Sequence, residues 1–186
     1  MVKAATYAAV ETLRDGRRVE IRALRQEDRA ELLAAVGRTS RESLYRCFFT
    51  VKPGFTEQET AFFLNIDFVD HVALVAVVEE ASRPVIVGGA RYILLRPGKA
   101  EVAFAVIDQY QGQGIGAALL RHLAGIARDA GLRELIADVL PENGAMLKVF
   151  AKSGFPLRTK RESDVVHVVL RLDATRRHPP APPSGP

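Results

Sequence analysis

A single cysteine, Cys47, occurs in the whole chain, which rules out an internal disulfide and any metal site built on several thiolates. Long hydrophobic runs are equally scarce. Stretches such as Val72 to Val78 fall far short of a bilayer span, and the opening Met-Val-Lys-Ala-Ala-Thr lacks the apolar core of a secretory signal. A cytoplasmic protein without a membrane segment is therefore expected. His71, His122, His167 and His178 fall into no H-E-x-x-H or Cys/His spacing, so no metal is expected, and no G-x-S-x-G elbow is present. His122 reads as helix surface, His167 as a strand residue and Cys47 as a packed helix residue. The net charge of +4 and pI near 9.5 admit a nucleic-acid partner, but the bases are dispersed among 22 acids. No nucleic acid is expected, and a polyanionic cofactor would use the same charge.

With 186 residues, 48% of them hydrophobic, the chain can bury one core and has little room for a second. Its organisation reads as an N-terminal extension with a first hairpin strand (1–16), one main domain (17–173) and a Pro-rich tail (174–186) that cannot build a core. Asp15-Gly16 is a hairpin turn signal between strands at Glu11–Leu13 and Val19–Ala23. Helical spacing covers Glu27 to Val36. Capping boxes at Thr39–Glu42 and Thr56–Glu59 open two short helices, one carrying Leu44, Tyr45, Phe48 and Phe49, the other Phe62, Phe63 and Ile66. His71–Glu79, Val85–Leu95 and Glu101–Ile107 then read as an antiparallel meander of β-branched strands. A helix over Gly114–Ala130 shows a stripe of Leu119, Leu120, Leu123 and Ala127. Leu135–Val139 follows as a strand, Asn143–Lys152 as a helix and Val165–Leu172 as a last strand.

The segment most telling for chemistry is the strand-to-helix turn Gln111-Gly112-Gln113-Gly114-Ile115-Gly116-Ala117. Glycines let a backbone approach closely, and the unpaired amides of a helix N-terminus face an anion, so the loop is suited to phosphate. It lacks the Gly-Lys-Ser/Thr of a nucleoside-triphosphate P-loop. Gly112, Gly114 and Ala117 satisfy a relaxed dinucleotide fingerprint, with Asp138 near the next strand's end. A loop that follows an antiparallel meander is, however, out of place for a Rossmann unit.

Gln111 to Gly116 resembles the Q/R-x-x-G-x-G/A signature of the GCN5-related N-acetyltransferase (GNAT) family, and Asn143 to Phe155 resembles its second signature, an Asn-initiated helix closed by Gly-Phe. The similarity spans about residues 17 to 172. Within the family, Ser40 to Phe49, Ala73 to Val77, Gly89 to Tyr92 and Ala100-Glu101 are similar to bacterial protein lysine acetyltransferases of the Pat type, which silence acyl-CoA synthetases. The resemblance implies an α/β (α+β) fold: a central, mostly antiparallel, twisted sheet of six to seven strands flanked by helices and splayed around a CoA site. It implies acetyl-CoA as cosubstrate, with Gly112, Gln113, Gly114, Ile115, Gly116 and Ala117 at the pyrophosphate beside Gln111. Phe104, Ala105 and Val106 would lie along the pantetheine arm, and Asn143, Met146 and Phe150 on its other side.

The resemblance makes Glu101 the expected base, with Asp138 in reserve. A base is needed because a lysine amine, with pKa near 10.4, is free in only about one molecule in a thousand or fewer at neutral pH. Many relatives place a tyrosine acid where this chain has Phe150, so the departing thiolate would take its proton from water. The function implied is acetyl transfer to a protein lysine by direct attack in a ternary complex. A small-amine acetyltransferase and a non-catalytic acyl-CoA-binding regulator are the alternatives. Acyl chain length and oligomeric state are left open.

Overall fold

A computed structural model describes residues 4–48 and 55–173. The chain runs β1 (Ala8–Thr12), β2 (Arg18–Ala23), α1 (Arg29–Gly37), α2 (Arg41–Phe48), α3 (Glu57–Leu64), β3 (His71–Glu80), β4 (Arg83–Arg96) and β5 (Lys99–Val106). It continues with α4 (Ile115–Asp129), β6 (Glu134–Val139), α5 (Gly144–Ala151), β7 (Leu157–Glu162) and β8 (Val165–Arg171). The expected tail at 174–186 and Phe49 lie outside the described residues.

One sheet takes in every strand, in the order β1-β2-β3-β4-β5-β6-β8-β7. Each neighbouring pair is antiparallel except β5–β6. The first hairpin turns at Gly16, whose φ of 85° is left-handed, and Leu13 N donates to Arg17 O across it. β3 is buried along eight consecutive residues because helices cover both of its faces. On α4, Leu119, Leu120 and Leu123 are almost wholly buried, each worth roughly 1.5–3 kcal/mol of transfer free energy.

The sheet has eight strands rather than six to seven. The extra strand, β7, is Leu-Arg-Thr-Lys-Arg-Glu, exposed over all but its first residue, so it carries no apolar alternation. Its backbone pairing with β8 defines it, and its charges suit the edge it occupies. Two local expectations also change. Ser40, not Thr39, caps α2: Ser43 N donates to Ser40 Oγ at 3.2 Å, while the Thr39 hydroxyl donates to Ala35 O. Glu42 then sits too early to reach back and pairs with Arg46 at 2.5 Å instead. The Thr56–Glu59 box on α3 forms reciprocally, at 3.2 and 2.9 Å. His122 is not a surface residue: its ring is half-buried between Tyr7 Oη and Glu11, which accept or donate at its two nitrogens and tie the N-terminal strand to α4.

Beneath α1, the guanidinium of Arg22 donates to both oxygens of Asp28 at 2.7 and 2.8 Å, and Arg25 N adds a third bond to that carboxylate. Among the described residues no helix is long and apolar enough to cross a membrane.

Candidate active site

β5 and β6 pair only at Lys99–Glu134, Ala100–Leu135 and Glu101–Ile136. Beyond Glu101 the two strands part, β5 remaining on β4 and β6 on β8. The expected splay is therefore present, and it opens at Glu101. Side chains alternate along each strand, so the register places Glu101, Ala103, Arg91, Asp138 and His167 on one face and Val102, Phe104, Ala137 and Val139 on the other. The first face is covered by α2 and α3, and the second carries α5.

A cavity of about 300 Å³ runs through this split. From the first face it is lined by Glu101, Asp138, Arg46 and Arg91, and from the second by Phe104, Asn143, Met146 and Phe150. Six residues expected at the site from the sequence are thus brought to one cavity. Phe150 is buried and meets Phe104 edge-on at 5.9 Å, forming an apolar floor.

The two carboxylates are placed differently. Among the described residues nothing hydrogen-bonds or ion-pairs with Glu101, which is exposed to the cavity mouth. Asp138 Oδ1 is engaged by His167 Nδ1 at 2.6 Å, and His167 Nε2 lies 3.4 Å from Glu162. The hydrogen bond that His167 donates to Asp138, with the nearby carboxylate charges, raises the His167 pKa above its ordinary value.

The glycine loop stands at the far end of β5. Gly112 and Gly114 have φ of 75° and 102°, a region that side-chain-bearing residues rarely enter. Gly114 caps α4 without a side chain, and the first amide to bond back within the helix is that of Ala118, to Gly114 O at 3.0 Å. The amides of Ile115, Gly116 and Ala117 precede it and are left facing the loop, the arrangement an anion needs.

Gln111 and Gln113 turn their side chains elsewhere. Gln111 Nε2 donates to Val106 O and Ser43 Oγ, clamping the loop to the strand end. Gln113 bridges Gln109 O and Arg17. Asp108 accepts from Ser40 N, Ser40 Oγ and Ser43 Oγ and so anchors α2 over β5; burial alone would raise its pKa, but these bonds outweigh it and the net shift is downward. Asn143 caps α5 by accepting from Met146 N at 3.2 Å, which leaves its side-chain NH₂ as the group able to donate into the cavity.

Several cavity residues were not singled out from the sequence. Arg91 and Arg46 are the foremost, and the available signal was a lone charge interrupting the apolar run of β4. The Arg91 guanidinium lies 4.1 Å over the Phe63 ring, and Nη1 is 3.2 Å from His71 Nε2. Burial and the adjacent Arg91 push the His71 pKa down, so the ring is neutral near pH 7 and accepts this bond. Cys47 of α2 also reaches the cavity, and burial pushes its thiol up to about 12.

A sheet split beside a glycine-capped helix, with an unpaired carboxylate in the gap, defines an acyl-CoA-dependent acyltransferase class of site. The comparisons agree. Residues 39–155 match the model of the Acetyltransferase (GNAT) family. An acetyltransferase of Pseudomonas aeruginosa is 33% identical over 168 residues, covering 88% of each chain. The acetyltransferase Pat of Mycolicibacterium smegmatis is 36% identical over 119 residues, which are 62% of this chain but 34% of that longer protein. Among solved structures, the GNAT domain of S. lividans PAT superposes with a TM-score of 0.80 at 34% identity, covering 88% of this chain and 96% of that one. The chain belongs to the GNAT acetyltransferase family and is a GNAT-type N-acetyltransferase.

Proposed function

We propose that the protein transfers the acetyl group of acetyl-CoA to a lysine ε-amine on a protein of acyl-CoA synthetase type, by direct attack while both substrates are bound. The observation that carries this reading is the unpaired Glu101 carboxylate at the point where β5 and β6 separate, in a cavity lined from both faces of the sheet. Acetyl-CoA would enter on the α5 face, with its pyrophosphate on the amides of residues 115–117 and its pantetheine arm along Phe104, Ala105 and Val106. Gly112 and Gly114 supply the loop shape, and the Asn143 NH₂ is a further donor. The acceptor would come from the face that carries Arg91 and Asp138.

In that arrangement Glu101, directly or through water, takes the proton of the incoming ammonium. The freed amine attacks the thioester carbonyl, and backbone amides of the opened part of β5 stabilise the oxyanion. The C–N bond forms, the C–S bond breaks, and the thiolate is protonated by water, since Phe150 stands where an acid could have been. The protein-lysine assignment is supported by the similarity to Pat and to the S. lividans domain. A small amine is the second reading, favoured by a cavity whose 300 Å³ would enclose such a molecule.

The test is release of free CoA from acetyl-CoA, followed with a thiol reagent, with purified acyl-CoA synthetase as acceptor and Glu101→Gln as control. Synthetase-dependent release that the substitution abolishes supports the reading. Tight acetyl-CoA binding with release only on small amines transfers support to the second, and binding without release on any amine identifies a non-catalytic binder.

A further inference from the structure

Arg91 is a half-buried cation without a matching anion. All 22 acidic side chains fall within the described residues, and none of them forms an ion pair with it. Its contacts are a neutral imidazole and the face of a phenyl ring, from His71 and Phe63. An uncompensated charge in such surroundings is costly, and burial draws its pKa down to about 10, which still leaves it protonated at pH 7. Arg46 adds to the imbalance on the facing helix, because its Nε–H is buried and lacks a hydrogen-bond partner among the described residues. Both arginines line the cavity that holds Glu101.

Arg91 also borders a second cavity of about 110 Å³ between α1–α3 and the sheet. Small residues, Ala73, Gly89, Ala103 and Ala105, line it on the sheet side and its walls are largely apolar, with Arg91 the one charged lining residue among the described residues. Apolar walls ending at a lone cation complement a short aliphatic chain that ends in an anion.

We propose that Arg91, assisted by the Arg46 Nε–H, binds a carboxylate brought in by a substrate. The inference rests on the acyltransferase reading of the cavity and adds a specificity-determining group to it. The carboxylate can have two sources. It can terminate the acyl chain of a dicarboxylic acyl-CoA, which the apolar cavity beside Ala103 favours, or it can stand on the acceptor near the amine.

The experiment measures binding rather than turnover, so it reads Arg91 whether or not Glu101 proves catalytic. Calorimetric titrations compare succinyl-CoA with acetyl-CoA, and lysine with lysinamide on the CoA-loaded protein, for wild type, Arg91→Met and Arg91→Lys. A charge-assisted hydrogen bond predicts that Arg91→Met loses about 10- to 100-fold in affinity for the carboxylated member of one pair, with partial recovery in Arg91→Lys. Loss in the first pair assigns the acyl chain as the source, and loss in the second assigns the acceptor. If neither ratio moves in Arg91→Met, the proposal is wrong. Should that variant not melt cooperatively, Arg46→Met removes the second donor and must weaken binding of the carboxylated member of one of the two pairs, or the proposal is wrong.

Discussion

Gly116 offers a substitution whose effects on folding and on ligand binding carry opposite signs. It lies in the first turn of α4 at an ordinary helical φ, and a Cβ built there would meet only Val149 Cγ2, at 3.7 Å, a normal van der Waals distance. Gly116→Ala therefore introduces no clash in the free protein, and the lost backbone freedom of the unfolded chain stabilises the fold by up to about 1 kcal/mol. On the proposed placement of the pyrophosphate, the same methyl group would crowd its approach to the amides of residues 115–117. Displacing the anion from one such amide forfeits a charge-assisted hydrogen bond of about 1.5–3 kcal/mol, roughly 10- to 150-fold in Kd. Gly114→Ala is the contrasting variant: nothing lies within 4 Å of its Cβ, but a φ of 102° costs about 1–2 kcal/mol for any L side chain. Urea unfolding paired with calorimetric titration of acetyl-CoA separates the two. If Gly116→Ala binds acetyl-CoA as tightly as wild type does, the placement of the pyrophosphate on this helix end is refuted.

Asp28→Asn should cost about 3–5 kcal/mol in urea unfolding at neutral pH, because it leaves the Arg22 guanidinium buried against a neutral amide. Burial opposes ionisation of Asp28, but the Arg22 and Arg25 bonds prevail and hold its folded pKa below the usual carboxylate value; its contribution is fully present above that value and is lost as pH falls through the folded pKa, and acid titration of wild type against the variant will show it. NMR titration of His167 should give a pKa above 6.5 that drops towards 6.5 in Asp138→Asn. Because the folded pKa is raised, any stabilisation from that pair is present at low pH and disappears as pH rises through it. Cys47→Ala should retain turnover, and loss of activity with an intact fold would point to a covalent intermediate.

The sheet meander, the glycine loop and the Asn-capped helix were legible because each carries its own local pattern: β-branched runs, clustered glycines at a strand-to-helix junction, and Asn143 ahead of an apolar stripe. β7 was not, since Arg158, Lys160 and Glu162 look like any polar loop until β8 pairs with them. The cap of α2 depended on which of two adjacent hydroxyls faces the helix, and Asp108, 68 residues away from Ser40, helps to fix that choice. His122 looked exposed because the residues that cover it, Tyr7 and Glu11, are distant in sequence. For the site, Glu101 and Asp138 could be named, but not their difference: only the antiparallel register of β6 with β8 sets His167 opposite Asp138. Arg91 escaped because the partner it lacks is a tertiary property.

That difference between the two acids bears on the order of chemical events. A carboxylate already held by an imidazole has one oxygen committed, whereas Glu101 keeps both free at the junction of the two faces, where an amine and a thioester would meet. An acyl-enzyme route would instead need a nucleophile in the cavity, and Cys47 is the thiol within reach. With its pKa pushed up to about 12, only on the order of one molecule in 100,000 would carry the thiolate at pH 7. No cation lowers that barrier enough, although Arg91 pulls in the favourable direction. Deprotonating the acceptor amine, whose ordinary pKa lies near 10.4, is the smaller task, and it needs only one free carboxylate. Direct transfer with both substrates bound is thus the route that asks least of these side chains, and in the proposed mechanism the proton goes to Glu101.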